Sequence, residues 1–301
     1  MKPARFDYVR AESVEHALAV LAERGGEAKI IAGGQSLMPM INFRLVKPAV
    51  LVDINHIPGL EMIEEQGDRL RMGALVRHRM TASDPAISRG LPILHEVMHH
   101  VAHMTVRNRG TFCGSVCHAD PAAEMPMIAQ MFDGRVEIVS ASGSRVLPAS
   151  EFLVGSLVTS LEPEEMVTGI SIGTSSPDAG WGFEEFSRRH GDFALAAVAV
   201  TFRVDDGEAI RDARIGMTGV GETALRMRDL ETLVDGRRLD ETLEVEVAAW
   251  LSDNLSPNAD IHASADYRRN LSGVLAVRAL RKAHARTLER RAASGRERDH
   301  E

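Results

Sequence analysis

Lys29-Ile30-Ile31-Ala32-Gly33-Gly34-Gln35-Ser36-Leu37 is the stretch that decides how this chain is read. A short apolar run, read as a buried strand over Lys29–Ala32, feeds straight into paired glycines, and a small hydroxyl residue closes the turn. Glycine lets the backbone turn with φ > 0 and approach a ligand closely. Successive exposed N–H groups in such a turn form a concave anion site, and Ser36 adds a hydroxyl donor. A second loop of the same kind, Thr111-Phe112-Cys113-Gly114-Ser115, follows a helical run further on. Two such loops can hold the phosphates of a dinucleotide from opposite sides. Neither fits G-x-x-x-x-G-K-[ST] or G-x-G-x-x-G, which excludes the P-loop and Rossmann modes.

Composition sets the frame around these loops. At 301 residues and 44% hydrophobic content, the chain is sized for two packed domains, or for one large domain with a smaller companion. A formal net charge of −8 with no basic stripe argues against a nucleic-acid partner. There is no apolar run of about 18 residues and no signal-like N-terminus, so the expectation is a cytoplasmic protein without a membrane span. The two cysteines, Cys113 and Cys117, are too few for a disulfide framework or for a cysteine-ligated iron–sulfur cluster on this chain.

Working outward, Ser13 caps a helix to Arg24, with Val14, Ala17, Leu18 and Leu21 at helical spacing, and Gly25-Gly26 ends it. Strands are expected at Val50–Ile54 and Arg69–Met72, and a second helix over Pro92–Met104. Another helix is expected at Met125–Met131, and a hairpin over Arg135–Ser140 and Ser144–Leu147 around Ser142-Gly143. Thr174–Gly180 reads as a linker. Strands at Ala194–Val204 and Ala213–Thr218 follow, then helices near Glu241–Leu251 and Tyr267–Leu288. The charged stretch after it reads as a tail.

Three motifs carry competing readings. His95-Glu96-Val97-Met98-His99 is a literal H-E-x-x-H, which on a helix places two imidazoles one turn apart for zinc. Thr105 stands where the extended form needs a third histidine. The same helix buries Leu94, Val97, Met98 and Val101, leaving His95, His99 and His103 as a solvated flank. Gly219-Val220-Gly221-Glu222-Thr223-Ala224 matches G-x-G-x-x-A, yet no second strand ending in an acid follows, and a tight turn accounts for it. Cys113 and Cys117-His118 lack the further ligands a metal needs, so Cys113 reads as a small residue filling a crowded turn.

His118-Ala119-Asp120-Pro121-Ala122-Ala123-Glu124 is open to two readings. The acids Asp120 and Glu124 can cap a helix opening past Pro121. Placed just after a phosphate-type loop, they can instead accept hydrogen bonds from a ribose or adenine.

These residues carry a resemblance. Ile31-Ala-Gly-Gly-Gln-Ser-Leu-Met-Pro39, continuing through Asn42-Phe-Arg-Leu45, Leu51-Val-Asp-Ile54 and Ile57-Pro-Gly59, resembles the first FAD loop of the flavin-carrying medium subunits of molybdenum hydroxylases. These are enzymes of the carbon monoxide dehydrogenase and xanthine dehydrogenase type. Val106-Arg-Asn-Arg-Gly-Thr111, Gly114-Ser115 and His118–Glu124 resemble the second loop, while Arg188–Ala194 and Asp266-Tyr-Arg-Arg269 resemble the family's C-terminal domain. The likeness runs in order from the N-terminus to about residue 285.

The resemblance implies an α+β fold: a vanillyl-alcohol-oxidase-like (PCMH-type) FAD domain over 1–176, with subdomains of about 1–57 and 58–176, then a small α+β C-terminal domain over 177–285. Residues 286–301 are left as a disordered tail. It implies FAD held by Ile31, Ala32, Gly33, Gly34, Gln35, Ser36 and Leu37 on one side. On the other stand Thr111, Cys113, Gly114, Ser115 and His118, with Asp120 and Glu124 toward the ribose and adenine. Val167 is implied near the flavin ring, and Phe193 is associated with the same ring. No catalytic and no metal-ligating residue is expected. The implied partners are a large subunit with the molybdenum cofactor and a small subunit with [2Fe-2S] clusters, assembled as a dimer of heterotrimers. The implied role is to take electrons from the clusters and pass them to an external acceptor. Two alternatives remain at this point, a self-sufficient FAD oxidase and an adaptor that has lost FAD. Two departures stand out: Cys113 replaces a usual glycine, putting a side chain into the phosphate loop, and Glu184-Glu185 stand where some relatives carry lysine.

Overall fold

The computed structural model describes residues 2–298, which form two compact units. The first comprises, among the described residues, 2–81, 103–119 and 133–173. It opens with strand β1 (Asp7–Arg10), the helix Val14–Arg24, β2 (Ala28–Ile31) and β3 (Val50–Asp53), paired in parallel in the order β1-β3-β2. Ser13 Oγ accepts the His16 N–H at 3.1 Å, satisfying one orphan donor of the first turn. Gly25, at φ 52°, ends the helix where a Cβ would be strained. Ala17, Leu18 and Leu21 on one helix face pack with Val50, Val52 and Ile54 from the sheet.

A second sheet of this unit is antiparallel. It contains β4 (Ile63–Gln66), β5 (Arg69–Gly73), β6 (Arg135–Ser140) and β7 (Gly143–Pro148). The short pair β8 (Leu153–Gly155) and β9 (Val158–Thr159) follows, and then β10 (Met166–Gly173), which inserts centrally to give the order β4-β5-β10-β6-β7. Ile170 stands opposite both Met72 and Val136, all fully buried. Register shifts between Val167 and Gly169. A Cβ at Gly169 would lie 3.0 Å from both Arg71 Nη2 and Glu137 Oε2, the two halves of a cross-strand ion pair. A side chain there would crowd the pair, so the space at Gly169 is set by the ion pair and not by a turn.

The second unit takes residues 82–102, 120–132 and, among the described residues, 174–298. Two segments ahead of the sequence-based boundary at 176/177 thus group with the C-terminal part. Its sheet is a meander of β11 (Gly180–Phe186), β12 (Ala196–Val204), β13 (Ile210–Thr218) and β14 (Leu225–Arg226). Buried residues run almost without a break along β12, as expected of a strand covered on both faces. The helix Ala265–Arg298 lies on β11 and β12. Cβ atoms at Gly180 and Gly182 would fall 2.0 Å from the Ala283 and Ala279 carbonyls, so the two glycines let helix and strand meet backbone to backbone.

That helix corrects the disordered tail expected from residue 286. Thr287 is fully buried, and its hydroxyl donates to the Asp178 carbonyl at 2.8 Å. Arg286 lies over the Trp181 ring at 4.8 Å, and Arg291 bonds Asp206 at 2.8 Å. Charged residues engaged along one edge keep the segment helical without large apolar side chains; residues 299–301 lie outside the described residues. Among the described residues no helix is long and apolar enough to cross a membrane.

Candidate cofactor site

β2 delivers the chain to the first loop at Ala32. Gly34 adopts φ 70°, and the short helix Leu37–Asn42 starts three residues later without a side-chain cap. The Met38 N–H returns to the Gly34 carbonyl at 3.0 Å. Among the described residues, the N–H groups of Gly34, Gln35, Ser36 and Leu37 meet no acceptor. Four consecutive donors in a turn are the chemistry of an anion cradle.

The second loop arrives against the first by backbone. A Cβ at Gly33 would lie 2.4 Å from the Arg109 carbonyl oxygen and 2.8 Å from Gly110 Cα. Beneath it, the His78 N–H donates to the Gly110 carbonyl at 3.0 Å, and the Phe112 N–H to the Val76 carbonyl at 3.0 Å. A Cβ at Gly110 would meet His78 Cδ2 at 2.8 Å. Burial, with the charges of Arg107 and Arg77, pulls His78 down to about 4, so it sits under the loop as a neutral ring. Arg77, Arg107 and Arg109 gather positive charge around this turn, consistent with an anionic ligand.

Thr111–Ser115 itself is not a loop. Thr111 is the N-cap and the rest is the opening turn of the helix Phe112–His118. Thr111 Oγ1 accepts the Gly114 N–H at 2.9 Å, so that donor is already used. Gly114 is glycine because a Cβ would stand 2.6 Å from the same Oγ1. The expected crowding by Cys113 also fails. Its Sγ turns into the unit, 3.5 Å from the Met72 carbonyl and 3.6 Å from that of Gly73, and burial raises its pKa well above the ordinary thiol value. The helix ends at His118, with Ala119 in the left-handed region at φ 54°. Val167, buried on β10, belongs to the same unit as both loops.

Asp120 and Glu124 belong to the second unit. Asp120 Oδ1 accepts the Ala122 N–H at 2.8 Å, building the turn that leads into the helix Glu124–Met131. Glu124 opens that helix but is buried, and its carboxyl faces Glu185 of β11. Burial raises both carboxyls; the charge of Asp120 pushes Glu124 further up, and Glu124 in turn raises Glu185. Glu185 Oε2 is buried without a hydrogen-bond partner. Facing a second buried acid is a third environment for Glu124, beyond the cap and the nucleoside acceptor expected from sequence. Glu184, next along β11, pairs with Lys282 at 2.6 Å. Phe193 is 62% exposed in the connection between β11 and β12.

The competing motifs resolve into structure. The helix bearing His95 ends at Val97, and Glu96 is engaged by Trp181 Nε1 at 2.9 Å and by the Arg286 guanidinium at 2.5 Å. His99 and His103 are exposed. Gly219 turns out of β13 at φ 79° toward β14, a turn and not a nucleotide loop.

The model of the FAD-binding domain in molybdopterin dehydrogenase matches residues 4–174, and that of the CO dehydrogenase flavoprotein C-terminal domain matches residues 181–283. The chain belongs to the flavin-carrying medium subunits of molybdenum hydroxylases. It is similar to the alpha subunit of the 6-hydroxypseudooxynicotine dehydrogenase complex of Paenarthrobacter nicotinovorans, 42% identical over 94% of this chain and 96% of that one. Caffeine dehydrogenase subunit beta of Pseudomonas sp. (strain CBB1) is 38% identical over 94% and 96%. A solved carbon monoxide dehydrogenase of Hydrogenophaga pseudoflava superposes with a TM-score of 0.91 at 34% identity, over 95% of this chain and 99% of that one. The cofactor is FAD, and the chain serves electron transfer as an oxidoreductase subunit of a heteromeric enzyme. The residues present fit such a ligand: a cradle of free N–H donors, a second turn packed against it, and a concentration of arginine charge.

Sequence reasoning did not single out Asn55 or Arg77. Asn55 Nδ2 donates to the Ala32 carbonyl at 2.8 Å, and Arg77 donates to Asn55 Oδ1 and to the Arg109 carbonyl. The only sequence signal was a polar residue directly after a fully buried strand.

Proposed function

We propose that this medium subunit holds the FAD pyrophosphate in the Ile31–Leu37 cradle, with the opening turn of the Phe112–His118 helix on the other side. The backbone N–H groups of Gly34–Leu37 carry that assignment, together with the hydroxyls of Ser36 and Ser115. Asp120 serves the ribose–adenine end and Val167 the flavin ring, in a domain of the PCMH type. Glu124, the second acid of that stretch, serves the same end. FAD, when bound, supplies the chemistry of accepting electrons singly and releasing them as a pair. The residues named bind and orient it, and no general base is assigned to any of them.

The partners are a large subunit with the molybdenum cofactor and a small subunit with [2Fe-2S] clusters, in a cytoplasmic dimer of heterotrimers. The substrate is bound by the large subunit, so no residue of this chain selects it. The observation that carries the reading is the run of four unpartnered donors packed against the Arg109–Gly110 turn. Its test is flavin retention by Gly33→Val, which forces the two turns apart. Loss of flavin from a folded variant supports the assignment, and full retention overturns it.

A further inference from the structure

Asp53, at the end of β3, is buried and accepts hydrogen bonds from the Tyr8 hydroxyl and, at 2.9 Å, from the Asn55 N–H. That fixes Asn55 at the rim of the parallel sheet. Its amide is then fully committed. Nδ2 donates to Asp53 Oδ1 and to the Ala32 carbonyl at 2.8 Å, while Oδ1 accepts from Arg77 Nη2. The other arm of the guanidinium, Nη1, donates to the Arg109 carbonyl. One continuous path therefore links the carbonyl that begins the first loop to the carbonyl that faces Gly33 from the second. The residues it joins lie 22, 23 and 32 positions apart, so no local propensity produces it.

We propose that Asn55 and Arg77 form a brace that sets the spacing of the two FAD loops, making both of them positioning residues for the cofactor. The proposal rests on the loop assignment above. A carbonyl–amide–guanidinium–carbonyl chain has little slack, because the planar fork of Arg77 must satisfy two acceptors at fixed angles. A lysine keeps the positive charge but places one ammonium where two forked donors stood. Replacing Arg77 by Lys thus separates spacing from electrostatic attraction of the phosphates.

The test is a titration of FAD-stripped, full-length protein with FAD, for wild type, Asn55→Ala, Arg77→Lys and the double variant. Melting of the stripped proteins and visible circular dichroism of the bound flavin are recorded alongside. Each single variant is expected to bind FAD roughly tenfold more weakly, with an altered flavin dichroism at saturation. The double variant should be no weaker than the worse single, since both changes cut one path. Wild-type affinity in Arg77→Lys, or losses that multiply in the double variant, overturns the brace. Arg77→Lys carries the test alone if Asn55→Ala does not fold. Gly33→Val separates the two levels: if it retains flavin, the loop assignment falls and the brace with it. If it loses flavin while Asn55→Ala and Arg77→Lys bind normally, the brace alone is wrong.

Discussion

Gly33→Ala is the sharpest perturbation of the cradle because it adds a single methyl group at the point where the two turns touch. The new Cβ would stand 2.4 Å from the Arg109 carbonyl oxygen, 2.8 Å from Gly110 Cα and 2.9 Å from the Arg109 carbonyl carbon. A relaxed carbon–oxygen contact is about 3.3 Å, so the turns must part by close to 1 Å. All three neighbours are backbone, and Arg77 ties the Arg109 carbonyl in place, so no side chain can swing aside. The backbone of Gly33 lies outside the left-handed region, so the penalty comes from contact alone. An opening of that size breaks one charge-assisted hydrogen bond to the pyrophosphate, about 1.5–3 kcal/mol. FAD should bind roughly ten- to a hundredfold more weakly. Gly34→Ala is the comparison. Its Cβ meets only flexible side-chain atoms of Ile31 and Met38 at 3.2–3.3 Å, and its cost is about 1–2 kcal/mol of left-handed strain. Flavin fluorescence during FAD titration measures both. Wild-type affinity in Gly33→Ala would refute the two-sided cradle.

Gly182→Ala should destabilise the protein by at least about 3 kcal/mol, because its Cβ would lie 2.0 Å from the Ala279 carbonyl and the helix would have to lift from β11; a melting temperature unchanged by circular dichroism would contradict this. Glu124 and Glu185 bind a proton more tightly folded than unfolded, so their contribution is present at acid pH and lost as pH rises through neutrality. Urea midpoints should fall between the carboxylate range and mildly alkaline pH, and Glu185→Gln should flatten that fall; an unchanged slope would rule out the raised buried acids. Cys113→Gly should leave FAD affinity at the wild-type value, since the thiol faces Met72 and Gly73 and not the cradle. A gain in affinity in the same titration would restore the crowding argument.

Much of the local structure was legible because its causes are local. Ser13 and Gly25 bound a helix, an apolar run led into Gly33-Gly34, and Ser142-Gly143 marked a hairpin. Where the causes were distant, reading failed. Gly180 closes a linker in sequence, yet with Gly182 it is a strand residue whose missing side chain admits a helix a hundred positions later. The Pro92 helix ends at Val97, although its apolar spacing continues. Phe112–His118 resembled a loop because cysteine, glycine and serine are weak helix formers, and the Thr111 cap is what starts the helix there. The donor cradle was legible at the first loop, because its N–H groups come from consecutive residues. The Asn55–Arg77 path and the Glu124–Glu185 pair were not, since each joins residues that only the folded chain brings together.

The central claim is that this chain carries FAD in the cradle formed at Gly33. Its most direct test is the visible absorption spectrum of the gently purified protein, before and after FAD addition. A flavin spectrum with one FAD per chain, lost in Gly33→Val, is the predicted result. No flavin absorbance in the folded wild-type chain, even after FAD is supplied, would contradict it.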